Sequence, residues 1–204
     1  LDGRLLAYVD FRQAEPRFLA ALTGDEQMIS DFSAGDFYAS SASKTGLSVN
    51  RNTMKQILNA AINGQSAWGL ALVLFGKLTK GRLETADNLI RAFWNIYPTA
   101  AAWREQQIDQ IARSGYAETQ DGLRRHCQFE LRDRAQNPTP WRIRRWAPHE
   151  GISHLVQGGF ATRFRHGLVS VASAGYRPCL PVHDALLLSV RDECEARDAA
   201  ACLS

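Results

Sequence analysis

Apolar residues along this chain follow two spacings, and the change from one to the other predicts its elements. Leu5-Leu6-Ala7-Tyr8-Val9 is a short apolar run of residues that suit a pleated, half-buried surface, so a strand is predicted to end at Asp10. Helix-compatible residues follow, with Phe18-Leu19-Ala20-Ala21-Leu22 as their apolar face. Gly24-Asp25-Glu26 and Gly35-Asp36 punctuate a short helix, and Asp36 is placed to cap the next one. From Asn50 to Gly64, Met54, Leu58, Ala61 and Ile62 form an apolar stripe. Arg51, Lys55, Asn59 and Asn63 form a separate polar stripe, because four helical residues rotate by only about 40° beyond a full turn. Further helices are predicted over 66–80, 82–95 and 98–114, the last two parted at Tyr97-Pro98 where proline forces a break. Asp121-Gly122, flanked by residues 115–119 and 123–126, predicts a hairpin. A long helix over 152–174 stops at Gly175-Tyr176. Residues 178–190 then read as two short strands with His183-Asp184 at their junction, and an amphipathic helix over 192–202 closes the chain.

Composition narrows the class without naming it. At 204 residues with 45% hydrophobic content, the chain is long enough for one domain, or two joined subdomains, with a real core. The net charge of +3 is mild, but arginines gather at Arg124-Arg125, Arg132 to Arg134 and Arg142-Arg144-Arg145. Such runs are most often solvated surface charge. In Trp141-Arg142-Ile143-Arg144-Arg145-Trp146 they interleave with aromatics, which suits either a phosphate-tracking segment that stacks on bases or a Trp-anchored helix. No run reaches the roughly 18 apolar residues of a membrane helix, so no membrane partner is expected. Cys127, Cys179, Cys194 and Cys202 have no CxxC spacing, which argues against a zinc site or disulfide framework and fits a reduced, cytoplasmic setting. The start at Leu1 rather than Met, close to a strand, points to a chain cut from something longer.

The candidate chemistry lies at the strand ends. On its own stretch, Asp10 reads most simply as a helix cap. Its other reading is a rigidly held oxygen ligand for a divalent cation, and Asp184, also at a strand junction, is a second. Arg51 and Lys55, one turn apart on one helix face, suit either an ordinary amphipathic surface or a grip on nucleotide phosphates. Two aspartates and a cationic helix, in this order, fit in-line phosphoryl transfer assisted by two cations about 3.5–4 Å apart.

These residues resemble the family A DNA polymerases, the bacterial polymerase I type. Asp10-Phe11-Arg12-Gln13-Ala14-Glu15-Pro16-Arg17 is similar to the family's D-[YF]-S-Q-I-E-L-R. Arg51-x3-Lys55-x7-Asn63-Gly64 is similar to its R-x3-K-x7-Y-G, and Val182-His183-Asp184-Ala185 to its V-H-D-E. Gly35-Asp36-Phe37-Tyr38, Gly115-Tyr116-Ala117-Glu118-Thr119 and Ala147-Pro148 align with intervening family segments, so the resemblance spans nearly the whole chain. It implies an α+β fold, a small antiparallel palm sheet with a largely helical fingers insertion. The expected layout is 1–35 palm, 36–114 helical fingers, 115–150 hairpin and basic loop, and 151–204 palm, with the thumb and other N-terminal domains missing.

The resemblance also implies roles. Asp10 and Asp184 are the expected catalytic, metal-binding carboxylates for two Mg²⁺ ions, with the Phe11 carbonyl as a further ligand. Arg51 and Lys55 hold the nucleotide's phosphates, and Glu15 occupies the gate position that disfavours a ribose 2′-OH. Tyr38, Asn59, Asn63 and Gln13 complete the nucleotide-binding set. His183, Arg142, Arg124, Arg125 and Arg145 are expected to bind DNA, and the partners are primer-template and dNTP. The departures concentrate at the nucleotide pocket. Asn59 and Asn63 stand where the family has aromatics, Tyr38 replaces a phosphate-contacting histidine, and Ala185 a glutamate. Arg12 replaces serine, Trp146 asparagine and Glu150 glutamine. In the family the gate glutamate is hydrogen-bonded by the tyrosine, and the Asn63 amide is expected to serve Glu15 instead. The leading expectation is template-directed DNA synthesis. A second is a degenerate polymerase-like domain that binds nucleic acid or scaffolds a replication complex. A metal-dependent phosphodiesterase, which needs a third acidic ligand, ranks last.

Overall fold

The computed structural model of the chain describes residues 3–126 and 150–203. In chain order, β1 (Leu5–Asp10) leads to α1 (Ala14–Thr23), α2 (Glu26–Ser33), α3 (Phe37–Lys44) and α4 (Arg51–Ile62). Next come α5 (Ala67–Phe75), α6 (Lys80–Ile96), α7 (Pro98–Ser114) and a hairpin of β2 (Tyr116–Glu118) and β3 (Arg124–His126). After the basic segment, α8 (Glu150–Ser153) passes through a π-helical stretch, His154–Gly158, into α9 (Gly159–Ser173). Strands β4 (Arg177–Val182) and β5 (Ala185–Val190) and helix α10 (Glu193–Ala201) follow. These elements form two compact units, residues 1–14 with 157–204, and residues 15–156.

The first unit is a three-stranded antiparallel sheet in the order β1-β5-β4. Register runs from Leu5 opposite Val190 to Asp10 opposite Ala185. Because side chains alternate along a strand, Ala7 and Val9 share a face with Leu186, Leu188 and Val190. That face packs on Phe164 and Val171 of α9 and Ala199 of α10. The opposite parity leaves Leu6, Tyr8 and Leu180 exposed on the face that also bears Asp10. Prolines 178 and 181 are tolerated because β4 is an edge strand, and its register shifts between Pro178 and Leu180.

The second unit is helical, built around the fully buried Phe37, Met54, Leu58, Ile62, Phe93 and Tyr97. The predicted apolar stripe of α4 is buried, while Arg51, Lys55 and Asn59 are exposed. Asp25 carries a double duty there. Its Oδ1 caps α2 by accepting from the Met28 amide at 3.0 Å, and its Oδ2 accepts from the Ala100 amide of α7 at 3.0 Å. Helix α7 needs this outside help because its own N-cap, Tyr97, makes no side-chain capping bond.

Three sequence expectations are revised. Helix α5 ends at Phe75 rather than near 80, because Gly76 adopts a left-handed φ of 69° and closes it. The helix predicted over 152–174 is interrupted by the π stretch, a register change that hydrophobic spacing does not reveal. Asp10 is not a helix cap, since β1 ends on it and α1 begins four residues later at Ala14. Among the described residues no helix is long and apolar enough to cross a membrane.

Candidate active site

The hairpin β4–β5 turns on only two residues, His183 and Asp184, with Val182 paired to Ala185. Asp10, at the end of β1, is also paired with Ala185, from the other side. Asp184 is therefore one residue from the ladder partner of Asp10. Strand spacing then sets their Cα atoms on the order of 6 Å apart. The main chain fixes this junction further, with the Phe11 amide donating to the Asp184 carbonyl at 3.0 Å. The Phe11 ring meets Phe160 and Phe164 of α9 edge-on at 5.5 and 5.9 Å, anchoring the backbone beside Asp10. Asp10 is exposed and Asp184 half-buried.

Backbone strain marks the same place. Among the described residues only Gln13 (φ 56°) and His183 (φ 55°) are non-glycine with positive φ. A left-handed conformation costs about 1–2 kcal/mol for such residues. One lies three positions after Asp10 and the other immediately before Asp184, and strain of this kind gathers at functional sites.

The residues fit a magnesium site. Mg²⁺ takes one or two carboxylates and leaves its other positions to water and substrate phosphates, and Asp10 and Asp184 offer two carboxylates at one end of the sheet.

In the helical unit, Asn50 caps α4 by accepting from the Thr53 amide at 2.9 Å, which sets Arg51 at the first helical position and Lys55 one turn on. Arg51 is ion-paired with Asp36 and its guanidinium lies 5.2 Å over the Tyr38 ring. Tyr38 itself is 6% exposed and belongs to the core, so little of it faces solvent. The hydrogen bond expected from Asn63 to Glu15 is present, Nδ2 to Oε2, at a long 3.5 Å. Ser153, which no local sequence signal singles out, donates to the Asn63 Oδ1 at 3.3 Å and so orients that amide toward Glu15. Asn59 is exposed. On the hairpin, Arg124 pairs with Glu118 at 2.8 Å and covers the Tyr116 ring, while Arg125 is exposed. Arg142 and Arg145 lie outside the described residues. The structure thus brings Asp10, Phe11, His183 and Asp184 together in one unit. In the other it brings together Glu15 with Asn63, and Arg51 with Tyr38.

A three-stranded antiparallel sheet with paired strand-end aspartates, joined to a mainly helical unit, defines a polymerase-type fold. The POL domain of Pol1 from M. smegmatis, solved in complex with DNA primer-template and dNTP, has this fold, with a TM-score of 0.77 and 24% identity. That likeness covers all of this chain and 36% of the solved one. The chain belongs to DNA polymerase family A, whose sequence profile matches residues 2–203. It is 29% identical over 200 residues to the thermostable DNA polymerase I of Thermus aquaticus and 31% identical over 211 to that of Thermus thermophilus. These alignments take in 94% and 98% of this chain but 23% and 24% of the relatives, so the chain spans about a quarter of their length.

Proposed function

We propose that this chain contributes the catalytic centre of template-directed DNA synthesis, in which a primer 3′-OH attacks the α-phosphate of a dNTP and pyrophosphate leaves. The observation that carries the reading is the ladder position of the two aspartates, each within one residue of Ala185 at a single end of the sheet. Membership of family A and relatives named DNA polymerase I support it. In this reading the sheet-bearing unit is palm and the helices from α3 to α7 are fingers.

Asp10, Asp184 and the Phe11 carbonyl would hold the Mg²⁺ pair. The chemistry supplied by such a pair is activation of the attacking oxygen and neutralisation of charge on the departing phosphate. The other roles fall to the chain's own groups. Arg51 and Lys55 bind the triphosphate of the incoming nucleotide, a cationic site reinforced by the amino-terminal end of α4. Glu15, oriented through Asn63, closes the space a ribose 2′-OH would need. His183 lies in the turn beside Asp184 and meets the primer terminus. Arg124, Arg125, Arg142 and Arg145 neutralise the DNA backbone, which makes binding salt-dependent. With Asn59 and Asn63 in place of aromatics, base stacking worth about 1–3 kcal/mol is forgone at the nucleotide. Weak dNTP binding follows from that loss.

Primer extension by the intact protein with Mg²⁺ and dNTPs tests the proposal. Templated extension is expected. A protein that binds primer-template yet never extends it is a scaffold, and the reading fails.

A further inference from the structure

Asp36 divides its carboxylate between two tasks. Oδ1 caps α3, accepting from the amides of Tyr38 at 3.0 Å and Ala39 at 3.2 Å. Oδ2 takes the Nε–H of Arg51, fifteen residues on. The Arg51 bond, more than the cap, holds the Asp36 carboxyl below the usual carboxylate range, so Asp36 is ionised at neutral pH. Carboxylate and phosphate oxygens present the same acceptors to a guanidinium fork, and one cannot be bound at a given N–H while the other is. The Tyr38 ring backs the guanidinium at 5.2 Å, so the ion pair holds Arg51 in one place along the start of α4.

From this geometry we infer that Asp36 is an internal competitor for Arg51: its carboxylate occupies the Nε–H edge of the guanidinium, and an incoming triphosphate that engages that edge must displace it. The inference rests on the proposed role of Arg51 as a phosphate-binding cation. Its consequence is a specific one. The carboxylate weakens nucleotide binding without touching the reacting atoms, so it acts on KM and not on kcat. It also acts on anions of the wrong shape, because a weakly held phosphate compound cannot displace the carboxylate as well as one gripped at several points. The side chains are 50% and 41% exposed, so the pair is screened and the effect is modest, about two- to fivefold.

Asp36→Asn is the test, because asparagine caps a helix as well as aspartate and α3 keeps its start. In the intact protein, KM for dNTP should fall about two- to fivefold with kcat unchanged, and the gain should fade as salt rises. Titration with inorganic triphosphate, read by calorimetry, should tighten by the same factor. In an Arg51→Ala background the Asp36→Asn change should do nothing further. Equal tightening in that background would mean a general field effect of the lost charge, and would overturn the inference. So would an unchanged or raised KM in Asp36→Asn alone, provided Arg51→Ala weakens nucleotide binding. If Arg51→Ala leaves nucleotide binding intact, Arg51 is not a phosphate ligand, and that reading and the inference fall together.

Discussion

Asp25 offers the sharpest energetic prediction, because one buried carboxylate serves two helices and the two services are separable. Its Oδ1 completes the first turn of α2 and its Oδ2 completes the first turn of α7, at Met28 and Ala100. Asp25 is 1% exposed and Ala100 is fully buried, so water cannot replace either bond. Asp25→Ala loses the cap, about 1 kcal/mol, and strands the Ala100 amide, about 1–3 kcal/mol. Together the loss is about 2–4 kcal/mol. Asp25→Asn keeps an oxygen for Met28 but turns an N–H₂ toward the Ala100 N–H, so it should forfeit the second amount alone. Trp68, Trp94 and Trp103 stand on α5, α6 and α7, so tryptophan fluorescence in a urea titration reports on the helical unit. The expected order of midpoints is wild type, then Asp25→Asn, then Asp25→Ala, at constant m. An Asp25→Asn midpoint equal to wild type would refute the cross-helix bond as a source of stability.

Two further predictions concern polar contacts, one buried and one half-buried. The Tyr97 hydroxyl donates to Asp31 at 2.8 Å and is paired with Ser41, and burial pushes its pKa far above the ordinary value. A raised folded-state pKa stabilises the fold below the unfolded value of about 10 and loses that contribution as pH rises beyond it, by up to about 1.4 kcal/mol per pH unit. Urea midpoints between pH 9 and 11 should therefore fall more steeply for wild type than for Tyr97→Phe, and parallel slopes would contradict it. At the proposed nucleotide site, Asn63→Ala should reduce discrimination against ribonucleotides about fivefold, the worth of roughly 1 kcal/mol for a long bond to a charged acceptor. Ser153→Ala should act in the same direction and less strongly, and discrimination unchanged in both variants would detach Asn63 from the gate.

Much of this was legible in local pattern. The strand ending at Asp10, the two-residue turn His183-Asp184 and the two-sided helix after Asn50 all depend on neighbours a few residues away, where spacing and turn chemistry speak directly. The Asn63–Glu15 bond was legible by a different route, from what replaces an aromatic hydroxyl at a motif position. Partners brought together only by folding were not legible. Nothing near Asp25 announces that it caps α7, seventy-five residues away, and nothing near Ser153 announces Asn63. The local pattern marks Asp36 as a cap, which it is, but carries no sign of its second oxygen on Arg51. The π stretch at His154–Gly158 is similarly silent, since a helix with one residue too many keeps its composition.

In the proposed reading, Asp10 and Asp184 act as one cation-binding pair in nucleotidyl transfer. The direct measurement is single-turnover primer extension by the intact protein carrying Asp10→Asn or Asp184→Asn, alongside primer-template affinity. Each variant should lose extension by about a thousandfold or more, a few kcal/mol of charge stabilisation, while DNA affinity stays within severalfold of wild type. Extension near the wild-type rate in either variant would contradict the account.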